Sequence, residues 1–300
     1  MFAVTILGNN SALPAYDRHP TSQVVTLEDQ VFLVDCGEGT QMQLTKYKVR
    51  WGRIQHIFIS HLHGDHYFGL PGLINTMGLL NRDQPLHIYA PPLLLPQLDL
   101  QFEAAAGRLN YPMHFHPLEK AGVLVEGEKW RVSCFPTQHR IPCFGFKFEE
   151  KKAPRKVIAD EAIRYEIPAA FYERLKWGEH YNHKTGHIIK NDWVTEAAPL
   201  PRSYVYCADT IFDEQLIEVA KDASLLYHET TYLKDLEDRA GLRFHSTTHQ
   251  AATIALKAGA KQLLIGHFSS KYENIDVFET EAREIFPNTH LALEGATFKV

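Results

Sequence analysis

Apolar residues in the first third of the chain come in short runs separated by polar turns. Met1–Leu7 is one such run, and Gln23–Leu27 and Gln30–Asp35 flank the polar pair Glu28-Asp29 in the manner of a β-hairpin. Ile54–Ile59 predicts a further buried strand, and it ends directly at a cluster of histidines. Two helices are then predicted: Gly69–Leu80, opened by Pro71, and Leu93–Ala106, which follows Pro91-Pro92. Proline suits a first helical turn because the N–H it lacks has no partner there. Val123–Val125, Trp130–Phe135 and Phe144–Phe148 predict a second sheet region. After residue 201 the pattern alternates regularly. It reads as strand Ser203–Cys207, helix Asp213–Ala220, strand Ser224–His228, helix Thr248–Ala258, strand Gln262–Gly266, helix Asp276–Phe286 and a terminal strand. Strands alternating with helices define an α/β class. No internal repeat or low-complexity tract interrupts them.

The stretch from Lys151 to about Pro201 breaks this rhythm. It is polar, carries Pro154, Pro168, Pro199 and Pro201, and sustains no alternation, so residues 151–201 read as an arm inserted into a single domain spanning 1–300. Charge makes the arm distinctive. Between Lys151 and Lys190 nine Lys or Arg face five Asp or Glu, a net of +4, which leaves −9 for the remainder of a chain whose total is −5. That balance excludes a uniformly basic nucleic-acid binder, since phosphate contacts require local Lys/Arg density, and it puts the basic surface in the arm. Within it, Ala169–Lys176 predicts a short amphipathic helix with Phe171, Tyr172 and Leu175 free to pack.

Composition adds two constraints. The four cysteines (Cys36, Cys134, Cys143, Cys207) are scattered without a C-x-x-C pair, which argues for buried free thiols over disulfides or a thiolate zinc site. Seventeen histidines are an excess that leans toward metal chemistry, imidazole being a favoured zinc ligand. The start MFAVTIL has no basic segment or cleavage site of a secretory leader, and no apolar run is long enough to cross a bilayer, so a cytoplasmic location is expected.

The densest signal is Ser60-His61-Leu62-His63-Gly64-Asp65-His66, with three imidazoles and a carboxylate within six positions at a strand end. Histidines two apart can meet on one ion, while Asp65 and His66 turn toward a second, and Gly64 permits the turn. Two zinc ions about 3.5–4 Å apart can clamp the attacking and departing oxygens of a phosphodiester. This H-x-H-x-D-H spacing resembles the metallo-β-lactamase superfamily. Seven residues cannot saturate two ions, and the missing ligands repeat one placement: His139, Asp209 and His267 each follow a predicted strand. The expected division is His61, His63 and His139 on one zinc, Asp65, His66 and His267 on the other, and Asp209 bridging both.

Further segments narrow the resemblance to the ribonuclease Z family. They are Leu7-Gly8-Asn9-Asn10-Ser11-Ala12-Leu13-Pro14 with Arg18, Val34-Asp35-Cys36-Gly37-Glu38-Gly39-Thr40-Gln41, Ala208-Asp209-Thr210, and His267-Phe268-Ser269-Ser270-Lys271-Tyr272. Asp35 is expected to buttress the metal loop, with Gly37 and Gly39 allowing a tight turn. His228-Glu229-Thr230-Thr231 and His245-Ser246-Thr247 resemble the family's proton-handling segments. His245 is the candidate general acid, Glu229 its orienter, and Asp65 both a ligand and the residue that positions the nucleophile; His228 packs or orients.

The resemblance implies a four-layer αββα sandwich with a projecting arm and two Zn2+ per chain. It implies a homodimer that removes the 3′ trailer of precursor tRNA, leaving a 3′-hydroxyl on the tRNA and a 5′-phosphate on the trailer. The arm departs from the family pattern: Ile167–Leu175 lacks the Gly-Pro pair found near the family's arm tip. Two alternatives stand beside this expectation. One is another binuclear-zinc phosphodiesterase or arylsulfatase-like hydrolase, since fold does not fix substrate; the other is a catalytically silent RNA-binding module.

Overall fold

Most strands among the described residues sort into two seven-stranded sheets. The computed structural model describes residues 1–104 and 109–300. In the first sheet the strands run in the order Thr297–Lys299, Phe2–Gly8, Ser22–Leu27, Gln30–Val34, Ile54–Phe58, Leu86–Ala90 and Met113–Pro117. In the second they run Thr289–Leu291, Leu263–Gly266, Leu225–Glu229, Ser203–Tyr206, Cys143–Glu150, Trp130–Thr137 and Gly122–Glu126.

The sheets meet through aromatic side chains. Phe32 and Phe58 of the first sheet lie 5.3–5.6 Å, ring centre to ring centre, from Phe146 and Phe148 of the second. Each fully buried ring of this kind stabilises by about 1.5–3 kcal/mol. Helices cover the outer faces. Leu70–Leu79 lays Leu70, Leu73, Ile74 and Met77 on the first sheet's cluster, and Thr248–Ala258 lays Ala251, Ala252, Ile254 and Ala255 on the second's. The latter helix starts at a capping box between Thr247 and Gln250 and stops at Gly259, whose φ of 66° a β-carbon would strain. The layers are helix, sheet, sheet, helix: the metallo-β-lactamase fold.

Observed boundaries shift from the expected ones by one or two residues in most elements. The helix expected over Leu93–Ala106 runs Leu94–Ala104; Ala105 and Ala106 fall outside the described residues. All four cysteines are buried free thiols. No described helix is long and apolar enough to cross a membrane.

Residues 126–131 and 149–202 form a separate compact unit. Its small core is Ala162, Ile167, Leu175, Ile189 and Val194, with Phe171 and Tyr172 packed against it. Ala169–Phe171 is a 3-10 turn that runs into helix Tyr172–Lys176, so the apolar side of this amphipathic stretch is spent on the unit's own interior. Two two-stranded pieces complete it, Lys156–Val157 with Thr195–Glu196 and Tyr181–Asn182 with Ile188–Ile189. Asn191 donates to the carbonyls of Leu175 and Glu179 at 2.8 and 3.0 Å, which ties helix Tyr172–Lys176 and the turn after it to the segment before Thr195–Glu196.

Two strands, Leu86–Ala90 and Met113–Pro117, have no counterpart in the sequence expectations. Leu86, Ile88 and Ala90 are buried, and the other phase of both strands carries histidines, half-buried at His87 and His116 and exposed at His114. Register sets His56, His87 and His114 side by side across three strands, with Phe58, Tyr89 and His116 in the next row. Neighbouring rings stack at 4.4–5.0 Å along both rows, and the ring nitrogens of His87 and His116 meet at 3.0 Å. Burial, then the neighbouring His87 and His116, pushes His56 down to about 4, and burial likewise lowers His87 and His116. Arg82 adds to the depression of His87.

These histidines are therefore neutral in the fold, while in the unfolded chain they take up protons near the ordinary value of about 6.5. Stability from the ladder is complete above that value and is lost as pH falls toward 4. Replacing His56 with Phe, which keeps the stack, should make the drop in Tm between pH 7 and pH 5 smaller than in the wild type. Equal drops by thermal scanning would mean that the ladder does not govern acid sensitivity.

Candidate metal centre

Strand ends of both sheets build the site. Parallel strands leave their carboxyl ends on one edge, where the chain must turn away, and that edge is where ligands gather in open α/β sheets. Gln30–Val34 ends at Asp35, Ile54–Phe58 leads to the loop Ser60–His66, and Ser203–Tyr206 leads to Asp209. Leu225–Glu229 ends on Glu229 itself, and Leu263–Gly266 delivers His267. Trp130–Thr137 contributes His139 just beyond its end.

Close backbone approach locks the metal loop in place. The Cys36 N–H donates to the His66 carbonyl at 2.7 Å, and the Gly69 N–H donates to the Cys36 carbonyl at 2.9 Å. A β-carbon on Gly37 would stand 2.4 Å from the Asp65 carbonyl, so the residue there must be glycine.

All seven residues expected as ligands come together. His61, His63, His139 and Asp209 form one group, and Asp65, His66 and His267 another, with the ligand atoms of each group within 4.8 Å of one another. In the first, the His63 Nδ1 lies 3.0 Å from His61 Nε2 and 3.1 Å from His139 Nε2. In the second, His66 Nε2 and His267 Nε2 are 3.3 Å apart. Asp209 faces both with separate oxygens. Its Oδ2 is 3.6 Å from His61 and 3.9 Å from His139, and its Oδ1 is 3.5 Å from His66 and 3.4 Å from His267.

The outward nitrogens explain why the inward ones converge. His61 Nδ1 meets the Ser60 hydroxyl at 3.0 Å, His66 Nδ1 meets Asp35 at 2.8 Å, His139 Nδ1 meets the Phe244 carbonyl at 2.9 Å, and His267 Nδ1 meets the Thr231 hydroxyl at 2.9 Å. With Nδ1 engaged from outside, Nε2 is turned toward the centre, which is how proteins orient metal-binding imidazoles. Converging imidazole nitrogens and shared carboxylates suit divalent cations. The chain is a metal-binding protein on this donor set.

Asp35 supports the arrangement. It is fully buried and accepts from the Ser60 N–H at 2.7 Å, the Ser60 hydroxyl at 2.9 Å and the Tyr206 hydroxyl at 2.6 Å, besides His66. Burial alone would raise Asp65 and Asp209. The neighbouring imidazoles overcome this, His66 first at Asp65 and His267 first at Asp209, and hold both well below the usual carboxylate range. Asp65 Oδ2 also accepts from the Ala12 N–H at 2.7 Å.

Beside the two groups, His245 Nδ1 lies 2.9 Å from Glu229 Oε1. Burial alone would lower this imidazole, but the Glu229 carboxylate outweighs it and pushes His245 up to about 9. Glu229 is itself held by the N–H groups of Ser246 at 3.0 Å and Thr231 at 2.9 Å. His228 points away from the ligands: its Nδ1 meets the Glu229 carbonyl at 2.8 Å, and its buried Nε2 has no partner among the described residues. A cleft of about 320 Å³ opens onto His63, Asp65, Asp209, His245 and His267.

Several site residues escaped the sequence reading. Tyr206 carried a signal, since a tyrosine on the inward phase of a buried strand needs a partner for its hydroxyl. Arg140 and Phe68, which also line the cleft, carried none beyond lying next to ligands.

The family model described as "Anti-Pycsar protein Apyc1" matches residues 2–174. The chain is 45% identical over 296 residues to ribonuclease Z of Bacteroides fragilis (strain YCH46), covering 98% of this chain and 97% of that one. It is 42% identical over 295 residues to ribonuclease Z of Porphyromonas gingivalis (strain W83), with 98% and 97% covered. Among solved structures, the short form of human tRNase Z superposes with a TM-score of 0.71 at 28% identity over 99% of each chain. The metallo-β-lactamase fold protein YhfI from Bacillus subtilis gives 0.72 at 19% identity over 100% of this chain and 99% of that one, a likeness of fold.

Removing the negative charge of Asp35 tests the supporting shell. Asp35→Asn keeps the shape but withdraws the carboxylate that orients His66, and losing such a partner typically weakens metal affinity by about 10–100-fold. Competition against a chromogenic chelator should register that loss for the ion nearest His66. Wild-type affinity in this variant would show that Asp35 serves only the fold.

Proposed function

The chain belongs to the ribonuclease Z family, its residues 2–174 also to that of the anti-Pycsar protein Apyc1, and it is an endoribonuclease of tRNA 3′-end processing; on this premise we propose how it cuts. It hydrolyses the phosphodiester joining the tRNA to its 3′ trailer, leaving a 3′-hydroxyl on the tRNA and a 5′-phosphate on the trailer. The observation that carries this reading is the division of Asp209, one oxygen toward each imidazole group, in the floor of an open cleft.

Two zinc ions are the proposed occupants, one held by His61, His63, His139 and Asp209, the other by Asp65, His66, His267 and Asp209. Zinc in such a pair supplies Lewis-acid polarisation of the phosphate and of the attacking water. The chain's own groups manage the protons. Asp65, fixed through Oδ2 by the Ala12 N–H, positions the attacking water and accepts its proton. His245, protonated at neutral pH beside Glu229, donates to the departing 3′-oxygen. One proton is taken from water and one is given to the leaving group, so the step balances.

The arm is the proposed grip on tRNA. Seven of the nine cations between Lys151 and Lys190 pair with acidic residues of the same unit, among them Lys156 with Glu196 and Lys184 with Glu166. Exposed pairs of this kind are worth only about 0–1 kcal/mol, so phosphates can compete for the cations. Lys152 and Lys190 make no ion pair among the described residues and are exposed. The family resemblance further supports a cytoplasmic homodimer in which one subunit grips the tRNA that the other cuts. Exposed Met42, Leu79 and Leu100 offer apolar surface for such an association.

The direct test is to incubate the zinc-loaded protein with a trailer-bearing precursor tRNA and map the cut. Turnover of bis-p-nitrophenyl phosphate without tRNA cleavage would instead make it another phosphodiesterase. Asp65→Ala should abolish cleavage and leave tRNA binding largely intact. His245→Ala should keep its zinc and slow turnover by roughly 10²–10⁴-fold, the span usual for a general acid or base. Loss of zinc from the His245 variant would make that residue a ligand.

A shortened chain tests the arm. Replacing Ala153–Pro199 by a short linker should weaken tRNA binding and flatten its salt dependence, because fewer phosphates are then neutralised. Hydrolysis of a small phosphodiester should stay near normal, no proposed ligand lying in the deleted stretch. Wild-type binding and cutting of precursor tRNA by the shortened chain would remove the arm from substrate recognition.

A further inference from the structure

Two residues at the mouth of the cleft have no structural work of their own. Phe68 is 64% exposed although it is a large apolar ring beside the metal loop. Its N–H donates to the Gly64 carbonyl at 2.9 Å, and its ring packs against Gly64, where a β-carbon would stand 2.2 Å from it. The Tyr67 ring braces it edge-on at 5.0 Å, and Tyr67 is anchored by its hydroxyl to Gln97 at 2.9 Å. A rigid aromatic face turned to solvent at a catalytic cleft is a stacking platform in waiting.

Arg140 is the other. It follows the ligand His139, is exposed, and makes no hydrogen bond or ion pair among the described residues. It is also the one Lys or Arg among the described residues lining a cleft that otherwise presents the carboxylates of Glu38, Asp65 and Asp209. An unpaired guanidinium beside carboxylates that it does not engage is free for a phosphate, which it can hold by paired N–H donors.

We propose that Phe68 supplies the face on which one base beside the cut lies and that Arg140 holds a phosphate next to the scissile one. The inference rests on the reading of the cleft as an RNA-cutting site. Its chemical consequence is that the nucleotides flanking the cut must be single-stranded, because a base within a duplex has no free face for Phe68. Base-on-aromatic stacking tolerates any base, so Phe68 gives grip without sequence preference.

Steady-state kinetics on trailer-bearing precursor tRNA, intact or with an abasic nucleotide on either side of the cut, tests both residues in the zinc-loaded protein. The wild type should lose about 5–150-fold in kcat/KM on one of the two abasic substrates, the fold-change that corresponds to losing one stacked base. Phe68→Ala should show that same loss on the intact substrate and no further loss on the abasic one, while Phe68→Trp should behave as wild type. Losses that multiply at both flanking positions would overturn the stacking role. Arg140→Gln should raise KM more than it lowers kcat and reduce the slope of log kcat/KM against log salt by about 0.7, the share of one single-strand phosphate contact, with Arg140→Lys restoring the slope. An unchanged slope would overturn the phosphate role. Zinc content measured for each variant separates these effects from loss of the metal loop. If the wild type itself leaves precursor tRNA uncut, the failure belongs to the proposed function and not to this clamp.

Discussion

Negative charge buried at one end of the two sheets sets the terms for the rest of the molecule. Asp35, Asp209 and Glu229 are almost wholly removed from solvent, and the Asp65 side chain nearly so. Isolated carboxylates in such a place would cost several kcal/mol each, and the usual escape is to take up a proton. Here the chain answers differently for each. Asp35 is saturated by three protein donors and an imidazole, Glu229 by three backbone N–H groups, the Thr231 hydroxyl and His245, while Asp65 and Asp209 face several imidazole nitrogens. The last arrangement is incomplete with protons alone, and cations complete it.

Holding those groups at fixed positions demands backbone that most residues avoid. Ala12, Asp35, Ala208, Phe244 and His267 all adopt the left-handed region, with φ between 48° and 67°, and each is at or adjacent to a site residue. For residues with a β-carbon this conformation costs of order 1–2 kcal/mol. Strain of that kind persists where the surroundings over-determine it, and it gathers at functional sites. Ala208 turns Asp209 inward, Phe244 presents its carbonyl to His139, and His267 itself bends back from its strand. Sheets and helices on both sides supply the rigidity that keeps those turns from relaxing.

How legible this was depended on how the residues are spaced. The Ser60–His66 loop announces itself because its ligands are consecutive, and His139, Asp209 and His267 are found by repetition of one placement after a strand. Residues that act on those ligands from across the fold leave fainter traces: Tyr206 reaches Asp35 from the second sheet, and the Phe244 carbonyl reaches His139 over 105 positions. Among elements, Leu86–Ala90 and Met113–Pro117 leave little apolar signal because each is five residues long and one phase of each carries histidine. Helix Thr40–Lys46 was hidden because it buries only Thr40, Gln43 and Leu44, too little for a helical stripe. The two-residue strands of the arm are shorter than any alternation can mark.

Asp65 and His267 touch at 3.3 Å although 202 positions separate them. A chain emerging from the ribosome thus presents its histidine-rich loop long before the partner that completes the site, and the strand Leu263–Gly266 that carries His267 docks only after most of the protein exists. Contacts of such long range are slow to form, since the entropy of closing the loop is lost before any contact repays it. Half-made protein accordingly has no complete cleft. The cleft of this RNA-cutting enzyme is thus complete only once the strand Leu263–Gly266 and His267 beyond it have been made.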